Sequence, residues 1–179
     1  GARPEKPGCP GTKPERPRAS VYASEERCRR NFEFSIRAFV TLRPLARKII
    51  IIEDDGQVNK ALAERLRKNT GYTLQATFQK CEDALPFLAR GDIWLTILDL
   101  GLPGLSGAGA VKAVKKANPE GEILIHSIYD GGDEIFGALQ AGASGYLLKG
   151  CNSVELTEAL RQLEAGGAPM SYGIARKVA

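Results

Sequence analysis

The sequence lacks the long apolar segments that membrane and secreted proteins carry. Its longest hydrophobic runs lie around residues 49–52 and 93–98, well short of the roughly 18 apolar residues that a membrane-spanning helix needs. The N-terminal residues include no apolar core of the kind found in secretory signals. We therefore expect a cytoplasmic protein with no membrane partner.

Motifs for zinc and nucleotide binding are also missing. The four cysteines lie far apart and include no C-x-x-C pair, which argues against a zinc site and favours free thiols. The chain has no G-x-x-x-x-G-K-S/T motif and no G-x-G-x-x-G after a strand, so the common nucleotide-binding sites are disfavoured. The only histidine, His126, falls inside a predicted strand, where we expect a buried structural imidazole rather than a metal ligand.

Positive charge is concentrated at the start of the chain. The 179 residues include 25 Lys and Arg against 21 Asp and Glu, a formal net charge of +4. Residues 1–48 hold 12 basic and 5 acidic side chains, whereas residues 49–179 hold 13 and 16. Five of the ten prolines fall within residues 1–18, a composition typical of disorder. We predict that residues 1–47 form a basic, proline-rich leader, disordered or loosely docked, and solvated rather than bound to nucleic acid.

From Lys48 onward, short β-branched runs alternate with segments of helical periodicity. Strands that are apolar on both faces and are separated by helices predict a parallel sheet covered on both sides. Right-handed crossovers then favour a flavodoxin-like (βα)5 fold, a three-layer α/β sandwich with strand order 2-1-3-4-5. The predicted strand segments are 48–55, 73–78, 93–99, 122–128 and 144–148.

Polar side chains stand where these strands end. Glu53 and Asp54 follow the first apolar run, Asp99 the third, and Ser127 and Lys149 the fourth and fifth. The carboxyl ends of parallel strands meet at one edge of the sheet, where ligands bind in such folds. Carboxylates packed together repel one another, and an oxygen-only site favours Mg²⁺ as the neutralising cation. Because Mg²⁺ commonly joins carboxylates to phosphate oxygens, phosphoryl chemistry is the first hypothesis.

Four motifs at these strand ends carry a resemblance to a known family. The chain contains EDD at 53–55, LDLGLPGLSG at 98–107, SIYD at 127–130 and GYLLKG at 145–150. Together they resemble the receiver domain of bacterial two-component response regulators, which would occupy residues 48–167. The second and fourth motifs are similar to those of the NarL/FixJ subfamily, whose receivers precede a LuxR-type helix-turn-helix.

The resemblance implies how phosphoryl transfer would occur. Asp99 would be the phosphoacceptor, and a sensor histidine kinase would be the donor. Mg²⁺, or Mn²⁺ in its place, would be held by the carboxylates of Glu53, Asp54 and Asp99 and by the backbone carbonyl of Gly101.

The resemblance also implies a conformational switch. Ser127 and Lys149 would bind the phosphoryl group and move toward it, while Tyr146 fits a switch residue and an ordinary core aromatic equally well. The face formed by the fourth helix, fifth strand and fifth helix would then drive phosphorylation-dependent homodimerisation. Only 12 residues follow Gly167, too few for a helix-turn-helix. We expect residues 168–179 to begin a linker to such an output domain, through which alone the protein would bind DNA.

Two other functions stay open. A phosphatase of the haloacid-dehalogenase type also uses a nucleophilic aspartate after a strand, but it needs a second aspartate two residues on, where this chain has Gly101. A receiver-like interaction module that works without phosphate would keep the fold, yet we would expect it to lose some of the five polar site residues. We therefore predict a phosphoacceptor that is not an enzyme. Asp55, which follows the first strand, is interpreted as a helix cap.

Overall fold

The computed structural model describes Gly1, residues 46–69 and residues 71–178. Within these residues strands and helices alternate, as the sequence pattern predicts. The predicted leader, residues 1–47, lies outside the described part of the chain except for Gly1, Ala46 and Arg47. None of the described helices is long and apolar enough to cross a membrane.

Five strands form one parallel sheet. They are β1 (Arg47–Ile52), β2 (Tyr72–Phe78), β3 (Leu95–Leu98), β4 (Glu122–Ser127) and β5 (Gly145–Leu148). Their order is β2-β1-β3-β4-β5, and every neighbouring pair is parallel. This confirms the predicted flavodoxin-like arrangement, and the strand bounds depart from the prediction only at their ends.

Six helices within the described residues cover the sheet. They are α1 (Gly56–Arg67), α2 (Cys81–Leu88), α3 (Gly107–Ala117), α4 (Gly132–Gln140), α5 (Ser153–Glu164) and α6 (Tyr172–Val178). Helices α1 and α5 pack on one face, and α2, α3, α4 and α6 pack on the other. The sheet is therefore the middle of three layers.

The two apolar layers follow from the side-chain alternation of β1. Ile50 and Ile52 belong to the buried cluster beneath α2, α3 and α4, whereas Ile49 and Ile51 belong to the cluster beneath α1 and α5. All four are fully buried. Successive side chains of a strand point to opposite faces, so one run of four isoleucines supplies both cores. Each buried isoleucine contributes roughly 1.5–3 kcal/mol of transfer free energy, which fixes the strand that precedes the acidic residues.

Asp55 caps α1, as the sequence predicts. Its carboxylate accepts hydrogen bonds from the backbone amides of Gln57 at 2.7 Å and Val58 at 3.2 Å. The amide of Asp55 itself lies 3.3 Å from Oε1 of Glu53. The cap therefore confirms the structural interpretation of Asp55 and anchors the short connection that carries the neighbouring acidic residues.

The sequence does not predict α6. Residues 168–179 are expected to begin a linker, whereas the structure describes a helix over Tyr172–Val178 in which Ile174 is fully buried. Residues 169–171 run alongside β5 before that helix starts. A seven-residue helix with one buried side chain has no periodic apolar stripe, which is why the pattern of the sequence does not reveal it.

Candidate functional site

The carboxyl ends of four strands bring the five predicted polar residues to one rim. Glu53, Asp99 and Ser127 are buried there, whereas Asp54 is exposed and Lys149 is partly buried. Lys149 and Glu53 are in contact although 96 positions separate them in the chain. The sheet order places β1 and β3 next to each other at the centre, and it thereby brings side chains from distant parts of the sequence together in the site.

Lys149 contacts two buried carboxylates at once. Its Nζ lies 2.8 Å from Oε1 of Glu53 and 2.9 Å from Oδ2 of Asp99. The Lys149 side chain is only 15% exposed, so salt in the solvent screens these contacts weakly. Hydrogen bonds between charged partners are about twice as strong as neutral ones. One ammonium against two carboxylates still leaves the group with excess negative charge when both acids are ionised.

Both carboxylate oxygens of Asp99 are engaged. The hydroxyl of Ser127 donates a hydrogen bond of 2.7 Å to Oδ1, while the Lys149 ammonium contacts Oδ2. Ser127 is the last residue of β4 and is fully buried. The end of the neighbouring strand therefore orients the Asp99 carboxylate, with one donor on each oxygen.

The surroundings separate the pKa values of the two buried acids. Burial alone would raise the pKa of Asp99, but hydrogen bonds from Lys149 and Ser127 outweigh it, and the net pKa is lowered. For Glu53 burial dominates, and its pKa is raised despite the contact with Lys149. Burial likewise opposes the charge of Lys149, yet its bonds to both acids raise its pKa overall. The contacts therefore favour the ionised form of Asp99, which is the form that a nucleophile requires.

Three carboxyl groups form a site suited to a hard divalent cation. Glu53, Asp54 and Asp99 each offer one oxygen, and these oxygens all lie within 4.8 Å of one another. An all-oxygen donor set matches the preference of Mg²⁺, and Mn²⁺ accepts the same ligands. The residues present thus fit the predicted metal. The fourth expected ligand, the carbonyl of Gly101, stays a prediction.

Gly101 and Tyr129 border the Asp99 carboxylate. A Cβ atom at position 101 would lie 3.4 Å from Oδ2 of Asp99 and 3.3 Å from ring carbon Cε2 of Tyr129. Tyr129 is 42% exposed, whereas Asp99 is only 5% exposed. A groove of about 390 Å³ opens beside this ring, with Ser106 and Glu134 on its walls. A larger side chain at position 101 would narrow the approach to Asp99.

Tyr146 connects the last strand to the loop after β4. The residue is fully buried, and its hydroxyl donates a hydrogen bond of 2.8 Å to the backbone carbonyl of Tyr129. Burial raises the pKa of the phenol to about 12, so the hydroxyl remains a donor near neutral pH. Tyr146 is thus a core aromatic that also contacts the loop starting after Ser127. Its role as a switch residue stays a prediction.

Glu82 contacts the loop that follows Asp99, and no motif in the sequence predicts this contact. Its Oε1 accepts a hydrogen bond of 2.8 Å from the backbone amide of Leu105, in the loop that follows Asp99. Gly104 has a φ of +80°, and a Cβ there would lie 2.6 Å from the same oxygen. An exposed glutamate in the first turn of a helix carries no sequence signal for this contact. Only the packing of α2 beside the loop reveals it.

His126 lies in the core of the sheet, on β4. Its side chain is buried, and neither ring nitrogen has a hydrogen-bond partner among the described residues. Burial lowers the pKa of the imidazole to about 4, so the ring is neutral near pH 7. The structure therefore agrees with a structural imidazole.

The two described cysteines are also structural. Cys81 and Cys151 are buried free thiols. Burial raises the pKa of Cys81 to about 11 and also raises that of Cys151. Because the thiolate is the reactive form, neither is activated. Cys9 and Cys28 lie outside the described residues.

Comparisons with known proteins agree with this geometry. Residues 49–161 match the family described as the response regulator receiver domain. The nitrate/nitrite response regulator protein NarP of Escherichia coli is 28% identical over 114 residues, which cover 64% of this chain and 53% of NarP. The response regulator GacA of Pseudomonas aeruginosa is 24% identical over 132 residues, 74% of this chain and 62% of GacA. The chain thus spans between about half and three-fifths of these relatives.

Solved structures share the fold. A LuxR-family two-component response regulator from Aurantimonas sp. SI85-9A1 superposes with a TM-score of 0.68 and 27% identity, over 73% of this chain and 94% of that one. The isolated REC domain of RcsB from Salmonella enterica serovar Typhimurium, solved with the phosphomimetic BeF3-, has the same TM-score at 21% identity, over 73% and 97% of the two chains. A further RcsB structure contains two dimers bound to two parallel DNAs.

Proposed function

Because this chain belongs to the response regulator receiver domain family, we propose that it is a phosphoacceptor switch whose Asp99 receives a phosphoryl group from a sensor histidine kinase. One observation carries the proposal. Asp99 is a buried carboxylate with a lowered pKa, held by Lys149 on one oxygen and Ser127 on the other. An acid that is both ionised and oriented at neutral pH is prepared for nucleophilic attack.

The proposed step is a transfer of the phosphoryl group from nitrogen to oxygen. A carboxylate oxygen of Asp99 attacks the phosphorus of the kinase's phosphohistidine. The new O–P bond forms as the N–P bond breaks, and the bonding electron pair leaves with the histidine nitrogen, which takes up a proton. The product is an acyl phosphate on Asp99, and the protein contributes mainly positioning and charge stabilisation.

Charge balance supports the participation of a metal in this step. A phosphoryl group adds about −1.5 to −2 of charge to a site where one ammonium already faces two carboxylates. Bound Mg²⁺ would neutralise charge on the transferring oxygens. Glu53, Asp54 and Asp99 would hold it, with the carbonyl of Gly101 as a further ligand.

The response to phosphorylation follows from the same contacts. New phosphoryl oxygens would accept hydrogen bonds from Ser127 and Lys149, which already lie against Asp99. Ser127 ends β4, and the loop after it accepts the hydroxyl of Tyr146 through Tyr129. These bonds would select one position of that loop, and the loop position would in turn switch the face formed by α4, β5 and α5. We assign phosphorylation-dependent homodimerisation to this face, which includes residues 169–171 along the edge of β5.

The output of the switch would be transcriptional. The relatives are response regulators longer than this chain, and RcsB forms dimers on DNA in its solved complex. DNA binding would then require a helix-turn-helix domain joined through the residues after α6. The described residues contain no such domain. In this role the protein acts in the cytoplasm. It is not an enzyme, and the reaction it would promote is at most a slow loss of its own phosphoryl group.

The direct test is labelling by a small phosphodonor. The full chain is incubated with acetyl phosphate and Mg²⁺ beside Asp99→Asn, and incorporation is followed by intact-protein mass. We expect incorporation into the wild type and none into Asp99→Asn, while Asp83→Asn, an exposed aspartate on α2, behaves as the wild type. Undiminished incorporation into Asp99→Asn would show that Asp99 is not the phosphoacceptor. No incorporation into the wild type would favour an interaction module that works without phosphate.

Dimerisation is tested separately by light scattering. The molar mass of the wild type is measured with Mg²⁺ in the presence and absence of beryllofluoride, and we expect a dimer only in its presence. A monomer under both conditions would contradict the proposed dimer while leaving the phosphoacceptor assignment intact.

A further inference from the structure

The open edge of β5 is covered by the chain's own C-terminal residues. β5 is the last strand of the sheet, and residues 169–171 run parallel to it. Tyr146 donates its amide to the carbonyl of Pro169 at 2.8 Å and accepts from the amide of Ser171 at 3.0 Å. The amide of Leu148 donates to the Ser171 hydroxyl at 3.0 Å. The backbone of the proposed switch residue is therefore paired with this segment.

The sequence of β5 is adapted to that close approach. A Cβ on Gly145 would lie 2.7 Å from the carbonyl oxygen of Pro169 and 2.8 Å from its Cγ atom. It would also lie 3.0 Å from Cδ1 of Leu124, within the sheet. Glycine at position 145 thus allows the edge to be covered at this distance.

Helix α6 then crosses to α4 and to the loop after β4. Ile174 is fully buried in the same apolar cluster as Ile135 of α4 and the ring of Tyr146. The ammonium of Lys177 lies 2.8 Å from the carboxylate of Asp130 and also contacts its backbone carbonyl. Residues 169–178, hereafter the strap, therefore bind both β5 and the loop.

These contacts connect the strap to Asp99. Asp130 directly follows Tyr129, whose carbonyl accepts the Tyr146 hydroxyl. The loop that contains both begins after Ser127, which donates to Asp99. The strap thus binds the arrangement in which Tyr146 is buried and Ser127 lies on Asp99. A phosphoryl group on Asp99 would attract the same serine hydroxyl and favour the same arrangement.

Buried and exposed contacts both hold the strap: Pro169 and Ile174 are buried, whereas most of α6 is exposed. A helix of seven residues is not stable alone in water, and the Lys177–Asp130 pair is exposed, with side-chain accessibilities of 41% and 67%. Exposed ion pairs of this kind contribute little to stability. Segments with few buried contacts open at low free-energy cost. Because most of α6 is exposed, we expect a change at Asp99 to shift the populations of the docked and released strap.

We infer that the strap is an intramolecular ligand of the switch, with Lys177 as a positioning residue, and that its docking and the phosphorylation of Asp99 stabilise each other. The inference rests on the proposed function, because it assumes that Asp99 is the phosphoacceptor. Coupling of two binding events is reciprocal. Phosphorylation should tighten the strap, and loss of strap contacts should weaken binding at Asp99 by the same factor.

The first arm of the test measures the strap. Amide hydrogen exchange of the full chain is recorded by NMR with Mg²⁺, with and without beryllofluoride. We expect slower exchange at Leu148 and Ser171 when beryllofluoride is bound, together with changes at Ser127 and Lys149. Changes at Ser127 and Lys149 without any at the strap would overturn this inference and leave the proposed function standing. No change at either place would overturn both.

The second arm measures the reciprocal effect by titrating beryllofluoride calorimetrically. Lys177→Ala should weaken its binding about threefold, and Ile174→Ala, which removes the buried anchor, about tenfold. Lys177→Arg should retain wild-type affinity, and Arg176→Ala, an exposed neighbour on α6, is the matched control. Equal affinities for the wild type, Lys177→Ala and Ile174→Ala would contradict the coupling. Urea unfolding of each variant shows whether a loss of affinity is caused by a loss of folding. If Ile174→Ala is unstable, Lys177→Ala still tests the coupling, because position 177 is exposed.

Discussion

The ammonium of Lys149 lies 2.9 Å from Asp99 and 2.8 Å from Glu53, and so links the end of β5 to the ends of β3 and β1. This position makes the lysine a partner of the acids before any phosphoryl group arrives. It also explains how two buried acids, Glu53 at 1% and Asp99 at 5% exposure, are tolerated beside each other.

Removal of the Lys149 charge should weaken binding of a phosphoryl mimic. Lys149→Met keeps most of the side-chain length but removes the donor, and a hydrogen bond to a charged group contributes about 1.5–3 kcal/mol. We therefore expect beryllofluoride to bind at least about tenfold more weakly in the presence of Mg²⁺, as measured by calorimetry. Lys48→Met, which removes an exposed ion pair with Asp92, serves as control. Equal loss in both variants would contradict a specific role for Lys149.

Magnesium should stabilise the folded protein through Asp54. An ion that binds only the folded state raises the free energy of unfolding by about 1.4 kcal/mol at ten times its dissociation constant. We expect this rise in urea unfolding of the wild type and of Asp83→Asn, but not of Asp54→Asn, because an amide replaces one of three clustered carboxylates. Equal stabilisation of Asp54→Asn would exclude this residue as a ligand.

His126 should make the protein less stable in mild acid. Burial lowers its pKa from 6.5 to about 4. Between these pH values the histidine is protonated in the unfolded chain but neutral in the folded chain. The free energy of unfolding should therefore fall as pH drops from 6.5 toward 4, by up to about 3 kcal/mol. His126→Leu should abolish this fall and also remove two buried nitrogens that lack partners among the described residues.

Urea unfolding of the wild type and His126→Leu at several pH values checks that prediction. Glu53, whose raised pKa contributes with the opposite sign in acid, is common to both proteins. The difference between the two curves therefore isolates the histidine. Parallel curves would show that His126 is protonated in the folded state or is not buried.

Loss of the Glu82 contact should slow phosphorylation with little change in stability. Glu82→Ala frees the amide of Leu105 and loosens the loop that follows Asp99. We expect labelling by acetyl phosphate to slow about three- to tenfold, with little change in the free energy of unfolding because the site is exposed. Asp83→Ala, an exposed acid in the same helical turn, provides the control. Identical rates for both variants would reject a positioning role.

Local pattern was enough to predict much of this molecule. Runs such as Ile49–Ile52 are apolar on both faces, and their alternation with helical segments indicates a parallel sheet. The acidic residues after β1 and β3 could then be assigned to one rim, because parallel strands end together. Asp55 could be interpreted as a cap from its place between strand and helix. Each of these inferences depends on residues close together in the chain.

Contacts between distant residues were not predictable in the same way. The two acids that share Lys149, the support of Leu105 by Glu82, and the pairing of Tyr146 with residues 169–171 join segments 23 to 96 positions apart. Glu82, Leu105 and residues 169–171 have no unusual local pattern, and the motifs that hold Glu53, Asp99 and Lys149 predict a shared rim but not which oxygens the lysine contacts. Whether the partners meet depends on how the helices pack on the sheet, which hydrophobic periodicity does not specify.

The chain order of apolar and polar residues thus encodes the sheet, the direction of its strands and the rim at which the polar side chains meet, because the burial of alternating side chains is a local property. Packing of distant segments settles the rest: the contact of one lysine with two acids, the support of the loop by Glu82, and the pairing of residues 169–171 with the edge of β5. Those outcomes depend on distances of a few ångströms between elements, where burial and hydrogen bonding compete.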